Sequence, residues 1–301
     1  MYKTTVDERS ASNLYWQALI ALHRLLLQQL TAANCPSSTA TARARLSASP
    51  SARITAATSA KTISASDSTC IYLVQYGDGS YSSGFFAEET LTLTPSDVVT
   101  TFKFGCGESN IGLFGGVAGL LGLGRGQVSL VSQSADKYGG VFSYCLPPFA
   151  SSAGYLTFGA GSASPNMQFT PLQSNSAAPS LYFVEMVGIS VGGKVLPIQP
   201  EVFSTAATIV DSGTVLTRLP MSAYTALRDE FRSHMSGYPT APPLSILDTC
   251  YDLTGHDNVS VPGVAMQFDG GVNLNVDASG ILYVADISQA CLAFVGNVNE
   301  T

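Results

Sequence analysis

Short apolar runs separated by Gly, Pro and Asn dominate the chain from Cys70 to its end. Such runs, bounded by turn-forming residues, are typical of β-strands. The first two, Ile71 to Tyr76 and Tyr81 to Phe86, flank the segment Gly77-Asp78-Gly79-Ser80. An Asp-Gly pair between two such runs predicts a β-hairpin, because the tight turn needs residues that tolerate positive φ.

The same pattern predicts a second hairpin and two helices. The run from Leu181 to Val191 closes at Gly192-Gly193 and resumes at Lys194 to Ile198. Ser129 to Tyr138 fits a short helix. After Pro220, apolar residues recur at helical spacing and give one buried stripe: Tyr224, Leu227, Phe231 and Met235. The predicted fold class is mainly β with a few helices.

The first 66 residues lack this organisation. No acidic residue occurs between Arg9 and Ser66, and residues 31–66 are mostly Ala, Ser and Thr with scattered Arg. Because this stretch has no apolar periodicity, it cannot bury enough surface to offset its chain entropy. We therefore predict that residues 31–66 are disordered.

Three interpretations of residues 1–66 stay open. An acid-poor, Arg- and Ser-rich composition resembles an organellar transit peptide, although Asp7 and Glu8 do not fit one. A secretory signal fits less well, because His23 and Arg24 split its apolar segment. The third interpretation is a short helix from Leu14 to Leu30 followed by a linker.

Charge and hydropathy argue against nucleic-acid binding and against a membrane-spanning segment. The 301 residues carry a net charge of −7, and charged residues make up only 12%. Nucleic-acid binding depends on clustered Lys and Arg, so this acidic balance argues against it. A membrane span is not expected either, because polar residues interrupt the most apolar helical segment, Leu14 to Leu30.

Two patterns suggest chemistry that the surrounding sequence does not support. Gly188-Ile189-Ser190-Val191-Gly192 matches the nucleophile elbow of serine hydrolases, but that motif requires a helix after the serine. Here a turn and Val195-Leu196-Pro197 follow, so a hairpin is the better interpretation. The histidines, His23, His234 and His256, lack metal-ligand spacing, and we expect no metal and no cofactor.

Asp211-Ser212-Gly213-Thr214 is the stronger candidate for chemistry. It follows the apolar run Ala207-Thr208-Ile209-Val210, so the carboxylate is expected at a turn that ends a buried strand. A carboxylate placed there needs hydrogen-bond donors, which the hydroxyls of Ser212 and Thr214 could supply. One such motif alone is weak evidence, because turns often contain aspartate.

Asp211-Ser212-Gly213-Thr214, Tyr76-Gly77-Asp78-Gly79-Ser80 and the run from Ala118 to Gly124 together resemble the pepsin-like aspartic endopeptidases. The plant nepenthesin-like branch is the most similar. The resemblance covers about residues 70–301 and includes four cysteine-containing segments, at Phe104 to Gly107, Phe142 to Cys145, Leu247 to Tyr251 and Cys291 to Phe294.

This resemblance implies two β-rich lobes with a substrate cleft between them, each lobe supplying one catalytic aspartate. One carboxylate of the pair keeps its proton while the other activates water. Asp211 matches the second-lobe aspartate, and Ser212, Gly213 and Thr214 complete its motif. Tyr76, with Gly77, Asp78 and Gly79, matches the flap that closes over bound peptide.

The sequence departs from the family pattern in both lobes. Asp211 is the only aspartate in an Asp-Ser/Thr-Gly motif, since Asp67-Ser68-Thr69 and Asp248-Thr249-Cys250 lack the glycine. Leu120-Leu121-Gly122 matches the supporting hydrophobic-Gly element of lobe one, but its lobe-two counterpart is expected after Phe294. We therefore expect a chain truncated at both ends, with three parts: 1–69 outside the family, 70–178 a remnant of the first lobe, and 179–301 an incomplete second lobe.

By the same resemblance, Cys106 pairs with Cys145 and Cys250 pairs with Cys291. Cys35 and Cys70 are left without an assigned partner. Six cysteines in such a family favour an oxidising compartment. Asn258-Val259-Ser260 and Asn299-Glu300-Thr301 also match the acceptor pattern for N-glycosylation, which is a short motif that often occurs by chance.

The resemblance implies a monomeric aspartic endopeptidase that cleaves peptide or protein substrates next to apolar residues at acid pH. It also implies the secretory pathway, extracellular or vacuolar, with a plastid as the alternative. Because the first-lobe aspartate is missing, we expect this chain to be weakly active or inactive. The alternatives are a non-catalytic binding or inhibitor protein on the same scaffold and a serine hydrolase that uses Ser190.

Overall fold

A computed structural model describes residues 53–55, 63–64, 70–76, 79–112, 119–145, 155–159, 167–204, 207–211 and 216–297. The chain divides into two compact units. Unit 1 contains the described residues up to 159, together with Asn175–Tyr182 and Asp211. Unit 2 contains 167–174, 183–210 and the described residues from 216 onward. No helix in the described part of the chain is long and apolar enough to cross a membrane.

The described residues of unit 1 form eight strands and two short helices. They are β1 (Arg53–Thr55), β2 (Ile63–Ser64), β3 (Cys70–Gln75), β4 (Tyr81–Thr94), β5 (Asp97–Ile111), β6 (Gly119–Leu120), α1 (Leu130–Gln133), α2 (Ala135–Tyr138), β7 (Phe142–Cys145) and β8 (Tyr155–Phe158). Six strands form one sheet in the order β2-β3-β4-β5-β1-β6, and β7 pairs with β8. The predicted first hairpin is confirmed, because β3 pairs antiparallel with β4.

The core of unit 1 lies where the long β4–β5 hairpin meets the first helix. Phe102 and Phe104 of β5 pack there with Leu91 of β4 and with Leu130 of α1. Ser129 caps α1, since its side chain accepts a hydrogen bond from the backbone N–H of Ser132. This cap satisfies an N–H that the helix itself leaves unpaired, so α1 begins directly after Ser129.

In unit 2, the part of the chain that the structure describes forms twelve strands and three helices. They are β9 (Phe183–Val184), β10 (Met186–Val191), β11 (Lys194–Val195), α3 (Glu201–Ser204), β12 (Thr208–Ile209), β13 (Thr217–Leu219), α4 (Met221–His234), β14 (Thr240–Ala241), β15 (Cys250–Tyr251), β16 (Val264–Phe268), β17 (Val272–Val276), α5 (Ala278–Ile281), β18 (Leu282–Asp286), β19 (Gln289–Leu292) and β20 (Phe294–Gly296). Two four-stranded sheets, β11-β10-β16-β17 and β14-β15-β19-β18, carry most of the pairing.

Helix α4 supplies the centre of the unit 2 core, as its apolar spacing predicts. Leu227, Phe231 and Met235 are fully buried, and Tyr224 is nearly so. They pack against Ile189 of β10 and other buried residues of the unit. The second predicted hairpin is also confirmed, because β10 pairs with β11 across Gly192 and Gly193.

The expectation of disorder over residues 31–66 is wrong at two places. β1 lies between β5 and β6, and β2 pairs antiparallel with β3. β1 is three residues long and β2 is two. Both are too short for a period to show in the sequence, and they depend on tertiary backbone pairing. The rest of that segment, and the helix predicted from Leu14 to Leu30, lie outside the described residues.

Of the two predicted disulfides, one is confirmed and the other is wrong. Cys250 and Cys291 face each other on β15 and β19 and form the predicted bridge. The predicted bridge from Cys106 to Cys145 is wrong, because Cys106 is a free thiol. Cys106 lies on β5 of the large sheet, whereas Cys145 lies on β7 of a separate two-stranded sheet. Cys70 is disulfide-bonded.

Candidate active site

Asp211 lies two residues after β12, where the chain leaves a strand. It is half-buried, and the chain resumes at β13 after residues 212–215. Ser212, Gly213 and Thr214 lie outside the described residues, so their roles stay predictions. The strand before Asp211 is less buried than its apolar sequence suggests: Ile209 and Val210 are 46% and 48% exposed. Among the described strands β12 pairs with β9 alone, and a two-stranded sheet covers little of its surface.

The hairpin that matches the flap begins at Tyr76. This tyrosine follows β3, and its ring packs against the buried cluster of Tyr72, Val74 and Val128. Its backbone N–H donates to the carbonyl of Ser80 over 2.8 Å, and the N–H of Gly79 donates to the carbonyl of Tyr76 over 3.0 Å. Gly79 has φ +80°, which favours glycine at this position of the turn. Gly77 and Asp78 lie outside the described residues.

Tyr72 of β3, the first strand of this hairpin, is held by a glycine and by two polar side chains. The ring of Tyr72 packs directly over Gly105, where a Cβ atom would lie 2.5 Å from a ring carbon. The Tyr72 phenol forms a 2.9 Å hydrogen bond with the hydroxyl of Ser82, and Ser82 donates to Asn110 over 2.7 Å. The ring and its polar end are therefore both held in place. Sequence reasoning did not identify this contact.

The hydrophobic-Gly element of unit 1 is built into the large sheet. Gly119 and Leu120 pair in parallel with β1, and Leu120 is buried. Just beyond, the carbonyl of Leu123 accepts a 2.8 Å hydrogen bond from the phenol of Tyr182. Burial raises the pKa of Tyr182 and keeps its donor proton in place. The segment after β6 is thus fixed both by the sheet and by this tyrosine.

A parallel strand pair also follows Asp211 in sequence. β13 pairs in parallel with β20, with Thr217 opposite Phe294 and Leu219 opposite Gly296. Gly296 lies against α4, since a Cβ there would lie 3.0 Å from the ring of Tyr224. The sequence Phe294-Val295-Gly296 has the hydrophobic-hydrophobic-Gly pattern. The predicted loss of the lobe-two hydrophobic-Gly element, expected after Phe294, stays a prediction, because residues 298–301 lie outside the described part.

Ser190 lies in a hairpin, as the sequence indicated. It is in the body of β10 and 9% exposed, and its hydroxyl accepts a 3.1 Å hydrogen bond from the amide of Gln267. Gly192 and Gly193, at φ +56° and +83°, turn the chain into β11. A nucleophile elbow needs a helix at this point, so the structure does not support Ser190 as a nucleophile.

Asp248 belongs to a polar network that sequence reasoning missed. Its carboxylate accepts hydrogen bonds from the phenol of Tyr224 and, over 2.7 Å, from the hydroxyl of Thr249. A guanidinium nitrogen of Arg228 lies 3.7 Å away, and Arg232 donates to the Thr249 hydroxyl over 2.9 Å. Each donor comes from α4 or from the next residue. Asp248 therefore has a structural role, although it precedes a threonine as a catalytic aspartate would.

Both acids of this network have shifted pKa values. Desolvation raises the pKa of Asp248, but the hydrogen bonds from Tyr224 and Thr249 and the charges of Arg228 and Arg232 together outweigh it, so the net pKa is lowered. Burial first, and the hydrogen bond to Asp248 second, raise the pKa of Tyr224 to about 12. The pair therefore holds one negative charge and one proton over a wide pH range.

Two β-rich units, a flap-like hairpin and an Asp-Ser-Gly motif are the features of pepsin-like aspartic proteases. The family described as "Xylanase inhibitor N-terminal" matches residues 2–160, and "Xylanase inhibitor C-terminal" matches residues 181–301. The chain belongs to this pepsin-like family. Because the first match begins at residue 2, restricting the family resemblance to residues 70–301 was too narrow.

The named relatives of the chain are plant aspartyl proteases. It is 53% identical over 238 residues to an aspartyl protease family protein of Arabidopsis thaliana, covering 79% of this chain and 50% of that protein. It is 38% identical over 237 residues to aspartic proteinase nepenthesin-2 of Nepenthes gracilis, covering 74% of this chain and 52% of that protein. The chain thus spans about half the length of these relatives.

Solved structures show the same fold at low sequence identity. The soybean basic 7S globulin matches with a TM-score of 0.61 at 23% identity, covering 76% of this chain and 63% of that one. Conglutin gamma, a basic 7S globulin from lupine seeds, matches with a TM-score of 0.62 at 20% identity, covering 84% and 75%.

Proposed function

We propose that this protein is an aspartic-type endopeptidase by descent, with peptide or protein substrates cleaved next to apolar residues at acid pH. The observation that carries the proposal is Asp211-Ser212-Gly213-Thr214, at the end of a strand in a chain 53% identical to an aspartyl protease. The hairpin of β3 and β4 adds support, because its sequence at Tyr76 matches the family's substrate-covering flap.

We further propose that the 301-residue chain itself hydrolyses peptides weakly or not at all. The family mechanism needs an acid and a base on opposite sides of one water molecule. The sequence has one Asp-Ser/Thr-Gly motif, at Asp211, and so supplies one of the two carboxylates. A single carboxylate cannot hold a proton and be ionised at the same time, so one of the two proton transfers lacks its group.

The experiment is digestion of a denatured protein substrate at acid pH by the purified full chain. Asp211→Asn and the inhibitor pepstatin test whether any cleavage comes from this site. Asp136→Asn is the matched control, since it removes an exposed carboxylate of unit 1. Little or no cleavage by the folded chain supports the proposal. Robust cleavage that both Asp211→Asn and pepstatin abolish would overturn the proposed weakness and show a second carboxylate.

The second candidate is a non-catalytic binding protein on the same scaffold. Both family descriptions name xylanase inhibitors, and an inhibitor needs a folded surface but no pair of aspartates. If the chain binds this class of partner, it should slow xylan hydrolysis by a microbial xylanase in proportion to its concentration. Asp211→Asn should leave that inhibition unchanged, whereas it should remove any proteolysis.

Passage through the secretory pathway is part of the proposal. The bridge between Cys250 and Cys291 supports it, because structural disulfides form and persist in oxidising compartments. A fluorescent fusion of the full-length gene product, followed by fractionation, would distinguish the extracellular space and the vacuole from a plastid.

A further inference from the structure

The segment after β15 exposes one asparagine on an otherwise well-anchored loop of unit 2. Asn258 begins Asn258-Val259-Ser260, one of two Asn-x-Ser/Thr sequences in the chain. Asn258 is exposed and lies in a bend between β15 and β16. The second sequence, at Asn299, lies outside the described residues. Only Asn258 therefore has a described structural setting.

The residues on either side of Asn258 hold the loop to the protein. Val259 packs against the core cluster of unit 2, and the backbone N–H of Ser260 donates to the phenol of Tyr238 over 2.8 Å. On the other side, the ring of His256 contacts the ring of Tyr238 edge-on, with centroids 5.0 Å apart. Val259 points inward and is anchored, so the neighbouring Asn258 side chain is left on the outside.

Nothing in the described part of the chain competes for the Asn258 side chain. Its amide makes no hydrogen bond there, and the preceding Asp257 is exposed as well. A large substituent on the amide nitrogen would therefore extend into solvent without breaking a contact. The sequence rules also hold, since neither Val259 nor Val261 is proline.

We propose that Asn258 is an N-glycosylation site. In the reaction, the side-chain amide nitrogen of Asn258 forms a bond to the anomeric carbon of a lipid-linked oligosaccharide pyrophosphate. The bond from that carbon to the pyrophosphate oxygen breaks, the lipid pyrophosphate leaves with the electron pair, and the amide gives up one proton. Disulfide formation and this reaction use the same secretory route, so the Cys250–Cys291 bridge and the sequon are consistent with each other.

The test is secretion of the full chain from a eukaryotic host behind an added signal peptide, in an Asn299→Gln background. Intact mass and tryptic glycopeptides are measured before and after peptide-N-glycosidase treatment. We expect one glycan, located at Asn258, that is absent from Asn258→Gln and from Ser260→Ala. Ser260→Thr, which keeps the acceptor pattern, should keep the glycan.

Secreted protein whose Asn258 peptide carries no glycan would overturn the proposal. A mass increase that persists in both Asn258→Gln and Ser260→Ala would also overturn it, because the modification would then lie elsewhere. Circular dichroism of each variant shows that a lost glycan does not reflect a lost fold. Proteolytic activity is not a readout, so this result and the test of the proposed function stand apart.

Discussion

The phenol of Tyr224 donates a hydrogen bond to the carboxylate of Asp248, which joins helix α4 to the segment that leads into the Cys250–Cys291 bridge. The tyrosine ring is 3% exposed, whereas the Asp248 side chain is 45% exposed. One partner is therefore fixed by the core, and the other lies at the surface between Arg228 and Thr249. This contact links the packing of α4 to the ionisation of two groups.

Tyr224→Phe should reduce the loss of stability that the protein shows at alkaline pH. Folding raises the pKa of Tyr224 from 10.0 to about 12, so the folded state binds this proton more tightly than the unfolded state does. The free energy of unfolding should therefore fall as pH rises through that interval. Urea unfolding of wild type, followed by circular dichroism at several alkaline pH values, should show the fall. The phenylalanine variant should show less of it.

At neutral pH the same variant should lose about 1 kcal/mol of stability, because a hydrogen bond to a half-exposed carboxylate is partly screened by water. Tyr238→Phe is a matched control, since that phenol accepts a backbone N–H from Ser260 and has no carboxylate partner among the described contacts. Equal alkaline slopes in wild type and Tyr224→Phe would contradict the assignment of the shift to this residue.

Low pH should also weaken this hydrogen-bond network, because it protonates the carboxylate of Asp248. Folding lowers the pKa of Asp248 below its ordinary value of 3.8, so its contribution to stability is present above that value. It is lost as pH falls through the lower, folded-state pKa. Asp248→Asn should reduce the free energy of unfolding at pH 7, and it should make the fall of that free energy below about pH 4 less steep. An equally steep fall in the variant would show that other carboxylates determine it.

Removing the Cys250–Cys291 disulfide should lower the free energy of unfolding more than removing the free thiol of Cys106 does. Cys250 and Cys291 are separated by 41 residues, and the chain-entropy estimate for such a loop is about 4 kcal/mol. The double variant Cys250→Ala/Cys291→Ala should lose stability of that order. Cys106→Ala should lose about 1 kcal/mol or less, because that thiol is only partly buried.

Alkylation without prior reduction distinguishes the two cysteine assignments of unit 1. Burial raises the pKa of the Cys106 thiol, with the nearby charge of Glu108 as a second cause, so iodoacetamide should label it slowly in the folded protein and fully after denaturation. A peptide that links Cys106 to Cys145 would restore the original pairing and contradict the structure.

Local patterns predicted the elements that depend on local physics. The stripe of Tyr224, Leu227 and Phe231 predicted α4, and paired glycines predicted the turn between β10 and β11. Both follow from periodicity or from positive φ. β1 could not be found this way, because its three residues become a strand only through pairing with β5 and β6. The pairing of Cys106 with Cys145, which the family resemblance implied, is wrong because β5 and β7 belong to different sheets, whereas the pairing of Cys250 with Cys291 is confirmed.

Gly105→Ala should destabilise unit 1 although alanine is usually better tolerated in a strand. The added Cβ would lie 2.5 Å from the ring of Tyr72, which is fully buried and cannot move aside. Overpacking of this kind costs about 1–3 kcal/mol. Gly263→Ala is the control, since a Cβ at that position would meet nothing within 4 Å. Thermal unfolding of both variants gives the comparison, and equal stabilities would mean that the Tyr72 contact is loose.

The candidate site could be predicted only in part. Asp211 was recognisable because its motif and its place after a strand both show in the sequence. The Tyr72 contact with Gly105 and the Asp248 network join residues 33 and 24 positions apart along the chain, which no local pattern connects. Asp248 even carried a misleading signal, since Asp-Thr resembles part of a catalytic motif.

Asp211 alone should give slower catalysis than a complete pair of carboxylates. A positioned acid or base is typically worth 10²–10⁴-fold, so losing one partner should cost at least about 3 kcal/mol of transition-state stabilisation. We expect the kcat/KM of the purified chain on a fluorogenic peptide at acid pH to be at least about 100-fold below that of nepenthesin-2. The pH dependence of any residual rate should show one ionisation, because a bell-shaped dependence requires two ionising groups. Asp211→Asn should remove that ionisation, while Asp136→Asn should leave it. A bell-shaped profile at a rate similar to that of nepenthesin-2 would mean that a second carboxylate works with Asp211 outside any Asp-Ser/Thr-Gly motif.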